Sequence, residues 1–255
     1  MQAEYAQHYR TLWERHWWWR SRESYLLGWI ARIRGREGGP LRILDVGCGD
    51  GLFFKRLEPF GRVEGLEPDA SLLENPLWRD RIRVARLGDE FGGERGFDLV
   101  LMLDVLEHIA DESGALRAAR ALLRPGGRLL ITVPALQWLW SRHDEVNEHH
   151  RRYRRDRLLD LLIEAGFEVE DIRYFYFWTV APLLVRRWVA PAGRGVHKGS
   201  RVAFDHAVMI PPAPINRALS TISRAEHALG RLIRWPIGGS LLSLARVSSG
   251  RLEGR

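Results

Sequence analysis

Leu44-Asp45-Val46-Gly47-Cys48-Gly49-Asp50-Gly51 is the stretch of the sequence that decides the fold. It ends an apolar run with the length of a strand and opens a helical segment. Glycine at every second position allows positive φ angles and lets a ligand lie directly against the backbone. The stretch therefore predicts a strand, a tight turn and a helix, with a ligand bound at the turn.

Apolar runs alternate with helical patterns along most of the 255 residues, of which 45% are hydrophobic and 28% charged. The runs with the pattern of strands are Arg42–Val46, Arg62–Glu67, Ile82–Leu87, Phe97–Leu103, Arg128–Val133, Glu168–Tyr176 and Ser240–Val247. Helical patterns cover the first 34 residues, Glu112–Leu123 and Arg155–Ala165. This alternation predicts an α/β fold with a mainly parallel sheet and helices on both faces.

The glycine spacing departs from that of dinucleotide-binding proteins, because the third glycine of their fingerprint would fall at Leu52. The form Asp-x-Gly-x-Gly-x-Gly instead resembles the first motif of class I S-adenosylmethionine-dependent methyltransferases. Three further motifs of that family follow in order, at Val63–Pro68, Phe97–His108 and Leu123–Gly127. The alternative is a nucleotide-binding fold with another ligand.

The resemblance covers roughly residues 15–175 and the last strand. It implies a Rossmann-like, doubly wound sheet of seven strands whose last strand is antiparallel. We expect residues 1–40 to form an N-terminal helical cap and residues 41–177 the S-adenosylmethionine-binding core. Residues 178–237 would form a helical lid inserted before the last strand, and residues 238–255 that strand and a tail. The cofactor would bind at the carboxyl ends of the first strands.

The family's cofactor positions correspond to Asp45, Gly47, Gly49, Glu67, Asp104 and Val105. By resemblance, the first three line the methionine and ribose end, Glu67 accepts hydrogen bonds from the ribose hydroxyls, and the last two lie near the methionine moiety. Leu87 or Asp89 would lie by the adenine.

The segment His16–Arg22 holds three consecutive tryptophans and is similar to an aromatic-then-arginine segment of one branch of the family. There Arg22 would pair with the cofactor carboxylate. The indole rings would surround the sulfonium, because a cation is attracted to a π face. The alternative is that the tryptophans belong to the core.

The segment Trp138–Tyr153 follows the fifth strand and resembles a branch of the family with a histidine–aspartate pair and a histidine before Arg-Arg-Tyr. Its position is where the acceptor should meet the methyl group. Histidine has the pKa range of a base that removes a hydroxyl proton, so the catalytic candidates are His143 and His149, oriented by Asp144. The alternative is that these histidines hold the loop in place and that Arg151–Arg155 is a solvated face.

Asp104, Glu107 and His108 are similar to an acidic–acidic–histidine arrangement that is associated with a divalent metal in ubiquinone-biosynthesis O-methyltransferases. The first carboxylate here is the shorter aspartate. Because Glu-His after this strand is also common in members without a metal, we expect no metal at the site.

The positive charge of the chain lies in its last third. Residues 171–255 hold 13 basic and 4 acidic side chains, a balance of +9, whereas residues 1–170 have a balance of −2. This asymmetry favours an anionic partner for the C-terminal segment, unless an arginine-rich genome accounts for it.

Within this basic last third, the connection Trp178–Trp235 includes a basic amphipathic helix near Ile215–Arg234. Its apolar positions are Leu219, Ile222, Leu229 and Ile233, with Arg217, Arg224, Arg231 and Arg234 available to flank them. Two interpretations stay open. The helix packs its apolar side on the sheet as a lid, or it lies on an anionic membrane surface or over a phosphorylated, lipid-tailed acceptor.

The sequence thus predicts an enzyme that moves a methyl group from S-adenosylmethionine to an oxygen, with nitrogen less favoured, on a small or lipid-linked metabolite such as a sugar or secondary metabolite. The positive charge of the last third fits an anionic acceptor. The alternatives are a nucleic-acid methyltransferase that uses the basic C-terminal third and a non-catalytic cofactor-binding partner subunit. A single cysteine, Cys48, cannot form an internal disulfide, which favours the cytoplasm. Contact with the inner face of the membrane is part of the membrane interpretation.

Overall fold

A seven-stranded sheet forms the centre of the protein, whose computed structural model describes residues 10–73, 75–89, 96–189 and 209–248. The strands are β1 (Leu41–Val46), β2 (Gly61–Glu67), β3 (Ile82–Val84), β4 (Phe97–Leu103), β5 (Leu123–Pro134), β6 (Phe167–Phe175) and β7 (Ser240–Val247). Their order is β3-β2-β1-β4-β5-β7-β6, and β7 is antiparallel to both of its neighbours. The α/β fold with an antiparallel last strand is confirmed.

The helices are α1 (Trp17–Glu37), α2 (Phe54–Leu57), α3 (Glu112–Leu122), α4 (Arg142–Val146), α5 (Arg155–Glu164), α6 (Val180–Val189) and α7 (Ala213–Leu229). Residues 10–15 are also helical. α1 begins after His16, whose ring accepts a hydrogen bond from the Trp18 amide, and it ends at Gly38 with φ 74°. That left-handed cap is a conformation that glycine adopts without steric cost. No helix among the described residues is long and apolar enough to cross a bilayer.

Apolar side chains cover both faces of the sheet. On one face, Leu116 of α3 and Leu158 of α5 pack against residues of β4 and β5. On the other face, Leu26 and Ile30 of α1 pack against residues of β1 and β4. Burial on both faces explains why these strands are almost continuously hydrophobic in the sequence.

Several predicted elements differ in extent, among them β3, β5 and α7. β3 ends at Val84 rather than Leu87, because this edge strand pairs only with the last three residues of β2. β5 begins five residues earlier than predicted, and α7 ends at Leu229 rather than Arg234. The predicted loop at Pro191–Gly199 and the start of the first helical pattern, residues 1–9, lie outside the described residues.

α7 packs on α1 with its polar side. Ser223, Glu226 and His227 are buried, whereas Ile222 and Leu229 are about half exposed. The interpretation in which this helix packs its apolar side on the sheet is therefore wrong. Its polar positions face inward because Glu226 accepts hydrogen bonds from two backbone amides after β6, those of Phe177 and Trp178.

His227 is the buried titratable group at this helix–helix contact. Its ring stacks on Tyr25 of α1 with 4.3 Å between centroids. Burial lowers its pKa from 6.5 to about 4. The ring is therefore neutral at pH 7 and acts as an aromatic packing group.

We expect the free energy of unfolding to fall as the pH is lowered from 6.5 to about 4. In this range the unfolded chain binds a proton on His227 and the folded chain does not, so acid favours unfolding. His227→Phe keeps the ring stacking and removes this protonation site. It should therefore reduce the acid-induced loss in the free energy of unfolding by up to about 3 kcal/mol. Denaturant titrations at a series of pH values measure the effect.

His150→Ala is the matched control, because the His150 ring is exposed. It should leave the pH dependence unchanged. Burial also lowers the pKa of His16 to about 4, so some dependence should persist in His227→Phe. Identical pH profiles for His227→Phe and the unmodified protein would contradict the prediction.

Candidate active site

The glycine turn after β1 forms the floor of the site. Gly47, Gly49 and Gly51 have φ angles of 69°, 54° and 70°. A Cβ on Gly47 would lie 2.7 Å from Cγ2 of Val105, whereas a Cβ on Gly49 would meet no atom within 4 Å. Gly47 therefore allows close packing, and Gly49 leaves its backbone open toward the cavity.

Glu67, at the end of β2, holds this turn. Its two carboxylate oxygens accept hydrogen bonds from the amides of Gly49 and Asp69, both at 2.9 Å. The residue is buried. Because each oxygen has a second lone pair, the carboxylate can still accept hydrogen bonds from a ligand in the cavity, which fits a ribose.

Arg22 extends from α1 into the same space. Its guanidinium pairs with Asp104 at 2.7 Å, donates to Thr132 Oγ1 at 2.5 Å and lies over the ring of Trp18. Its buried Nε has no hydrogen-bond partner among the described residues. An anionic ligand group would satisfy that donor, so the pocket fits a cofactor carboxylate. The sequence motifs do not single out Thr132, whose only signal is a hydroxyl in the apolar run of residues 129–133.

Asp45 lies at the end of β1 beneath the turn. Burial raises its pKa to about 7; Arg22 opposes this effect and Glu67 adds to it. Because its pKa lies near neutral pH, this carboxyl group becomes charged readily when a cation approaches. This property suits a site for a ligand with an ammonium or sulfonium group.

A cavity of about 670 Å³ joins these residues, a volume within the range of small-molecule sites. Most of its upper wall is aromatic, from the N-terminal helices and the segment after β6. These rings belong to Trp13, His16, Trp17, Trp18, Trp19, Tyr176 and Trp178. The tryptophans of the His16–Arg22 segment therefore line a pocket rather than only filling the core.

Asp144 organises the wall that follows β5. This fully buried carboxylate accepts hydrogen bonds from His149 Nδ1 (2.9 Å), Arg152 Nε (2.7 Å) and the Ser141 amide (2.9 Å). These donors hold the pKa of Asp144 well below its usual value, although burial opposes them. The carboxylate is therefore charged at all ordinary pH values and fixes the His149 ring.

His149 and His143 both line the cavity. With Nδ1 of His149 donating to Asp144, Nε2 is left as the acceptor that can take a proton. The His143 ring lies 6.3 Å from the His149 ring, centroid to centroid, and neighbours the Asn147 side-chain amide. The His149 ring is held by its hydrogen bond to the Asp144 carboxylate.

The Arg-Arg-Tyr motif has internal partners. Arg152 pairs with Asp144, and Tyr153 and Arg151 contact Glu112 at the start of α3, both at 2.9 Å. The interpretation of the whole stretch as a solvated face is therefore wrong for these three residues. Sequence spacing did not reveal Arg152 as the partner of Asp144.

Glu107 lies beside His108 and His149. Its carboxylate is fully buried and has no hydrogen-bond partner among the described residues. Burial, then Asp104, raises the pKa of Glu107 well above its usual value. Ligand atoms of Glu107, His108 and His149 lie within 4.8 Å of one another, close enough to hold a metal ion. That no metal binds here stays a prediction.

Most of the predicted site residues meet at this cavity. Those that line it are Arg22, Asp45, Gly47, Gly49, Glu67, Asp104, His143 and His149. Val105 packs under Gly47, and Asp144 lies behind His149. Leu87 and Asp89, expected by the adenine, are not among the lining residues. β3 ends before them.

Comparison with known proteins shows the family to which the chain belongs. A profile of the methyltransferase domain family matches residues 18–172. Because this match covers more than half of the chain, the protein belongs to the methyltransferase domain family. Its fold is that of the class I S-adenosylmethionine-dependent methyltransferases, as predicted from the sequence, and S-adenosylmethionine is the cofactor of that family.

A curated relative is the ubiquinone biosynthesis O-methyltransferase of Ruegeria pomeroyi. It is 32% identical over 171 residues, which are 54% of this chain and 64% of that protein. The chain thus spans slightly less than two thirds of this relative's length.

Two solved structures share the fold. The [4+2]-cyclase SpnF superimposes with a TM-score of 0.53 and 19% identity, covering 83% of this chain and 76% of that one. The 1,6-didemethyltoxoflavin-N1-methyltransferase of Burkholderia thailandensis, solved with 1,6-didemethyltoxoflavin and S-adenosylhomocysteine, has a TM-score of 0.51 and 18% identity, covering 86% and 76%. Identities this low show the fold alone.

Glu67→Ala should weaken S-adenosylmethionine binding by about ten- to a hundredfold. The change removes a charged hydrogen-bond acceptor, which is worth roughly 1.5–3 kcal/mol. Isothermal titration calorimetry measures the affinity, and thermal unfolding verifies that the variant is folded.

Glu64→Ala is the matched control on the same strand, because that carboxylate instead lies by Arg42 and Arg62. It should bind the cofactor normally. Unchanged affinity in Glu67→Ala would rule out the assigned role of Glu67.

Proposed function

We propose that this protein transfers the methyl group of S-adenosylmethionine to a hydroxyl oxygen of a small or lipid-linked metabolite. The observation that carries the proposal is that the Asp144–His149 pair lies on the wall of the same cavity as the glycine turn and Glu67. The similarity to an O-methyltransferase supports oxygen as the acceptor atom. Nitrogen remains the less favoured acceptor.

His149 acts as the general base in this proposal. Its Nε2 would take the proton of the acceptor hydroxyl, whose oxygen would replace the sulfur on the methyl carbon, so that the carbon–sulfur bond breaks and a neutral thioether leaves. Asp144 holds the ring in the required tautomer and stabilises the imidazolium that results, as a buried carboxylate does in other histidine-dependent sites. Arg152 is a positioning residue, because it acts through Asp144.

When bound, S-adenosylmethionine supplies an electrophilic methyl carbon on a positively charged sulfur. The aromatic wall formed by Trp17, Trp18 and Tyr176 excludes water and presents π faces that attract a cation. Arg22 and Glu67 orient the two ends of the cofactor. Alignment of the acceptor with the methyl group in a dry pocket is the main source of rate acceleration in such a displacement.

The cavity favours this function over the two alternatives. Its tryptophan wall and its size suit one small acceptor, whereas a nucleic-acid enzyme needs a channel for the backbone. The open backbone at Gly49 and the buried carboxylate of Glu67 support a working cofactor site rather than a decayed one. A non-catalytic subunit would not need the Asp144–His149 pair.

We also propose that the protein works in the cytoplasm, at the inner face of a membrane. Its single cysteine supports the reducing compartment. The membrane contact rests on the surface of α7 that is described below.

His149→Ala should lower turnover by about 10²–10⁴ while cofactor affinity stays intact, because only proton removal is lost. Release of S-adenosylhomocysteine measures turnover with a panel of hydroxyl acceptors that differ in ring and alkyl tail. The pH–rate profile of the variant should lose the limb that rises with pH.

His143→Ala is the matched control, since this ring lines the same cavity and neighbours the Asn147 side-chain amide. It should keep the rising limb. Arg152→Lys should reduce turnover at unchanged cofactor affinity, because it loosens Asp144. Near-full rates in both histidine variants would show that catalysis proceeds by alignment alone.

A further inference from the structure

The outward face of α7 is apolar along one edge. Ile215, Ile222 and Leu229 recur every seven residues and therefore form a row along the helix. They are about half exposed, and Leu232 and Ile233 continue the row beyond the helix end at 86% and 46% exposure. Contiguous exposed apolar side chains of this kind mark interaction sites.

Arginines form the opposite edge of that face. Arg217 and Arg224 follow the apolar residues by two positions, which places them about 200° around the helix. Ala218 and Ala225 lie between the two rows. Both arginines are exposed, and no acidic side chain among the described residues pairs with either. Arg234 differs, because it pairs with Asp171 at 3.1 Å.

We propose that this outward face of α7 docks on an anionic lipid bilayer. The apolar row enters the boundary between headgroups and acyl chains, while the arginines reach lipid phosphates at its edge. A second copy whose α7 packs antiparallel on this face would bring the two rows of arginine together, which repulsion disfavours. Nucleic acid would meet the arginines but leave the isoleucines and leucines in water.

The docked face lies directly behind the pocket. The Trp17 amide donates to Asn216 of α7 at 2.9 Å, and the Trp178 indole donates to Ser223 at 3.3 Å. Both tryptophans line the cavity. A bilayer under α7 would thus place the aromatic wall near the source of a lipid-tailed acceptor. This use of the surface rests on the proposed function, whereas the bilayer contact itself does not.

Sedimentation of the full chain with vesicles tests the proposal. Vesicles of phosphatidylcholine with phosphatidylglycerol should bind the protein, and vesicles of phosphatidylcholine alone should bind it far less. Raising the salt concentration should weaken binding, because screening acts on the arginines.

Two variants separate the two edges of the surface. Arg217→Gln with Arg224→Gln should weaken binding by about twenty-fivefold, since each arginine near an anionic surface contributes about fivefold. Ile222→Ser with Leu229→Ser should abolish the binding that survives high salt. Arg79→Gln with Arg117→Gln removes the same charge from exposed positions elsewhere and should bind normally.

Three results would overturn the proposal. They are no binding of the unmodified protein to anionic vesicles at low salt, an equal loss in the Arg79 and Arg117 control, and binding of an oligonucleotide in place of vesicles. Calorimetry with S-adenosylmethionine runs in parallel. If the protein binds the cofactor but not the vesicles, the bilayer proposal is wrong and the proposed methyl transfer is unaffected.

Discussion

The site depends on the parallel alignment of β1, β2, β4 and β5, whose carboxyl ends meet at one edge of the sheet. Glu67 is the last residue of β2, and Gly47, Asp104 and the segment after Pro134 follow the other three ends. Because the order reverses between β1 and β4, the crossover connections diverge there and leave a crevice. The cavity occupies this crevice, and the N-terminal helices cover it with aromatic rings.

A second constraint is the buried negative charge of Asp144. An isolated carboxylate without exposed surface is costly, and it persists only when its oxygens are paired. Here Arg152 supplies the cation, and His149 and Ser141 supply further donors. The pairing that makes the charge tolerable also holds the imidazole in one orientation, so stability and chemistry share one set of hydrogen bonds.

Glu107 contrasts with Asp144 only a few ångströms from the same histidine. It has no partner among the described residues, and burial favours its neutral form. Two carboxyl groups in one wall thus differ in charge because their hydrogen-bond partners differ. The neutral carboxyl group of Glu107 can donate a hydrogen bond, whereas the Asp144 oxygens already accept from His149, Arg152 and Ser141.

The sequence by itself determined the order of the elements, the position of the glycine turn, the position of Glu67 at the end of β2 and the bounds of β7. Each of these depends on local pattern and on motifs that succeed one another along the chain. Only the tertiary structure decided which residues meet Asp144, that Glu107 lies beside His149, and that α7 turns its apolar row outward. Helical spacing shows that a face is apolar but not what covers it. The polar side of α7 faces inward because it carries the hydrogen-bond acceptors for backbone amides that follow β6.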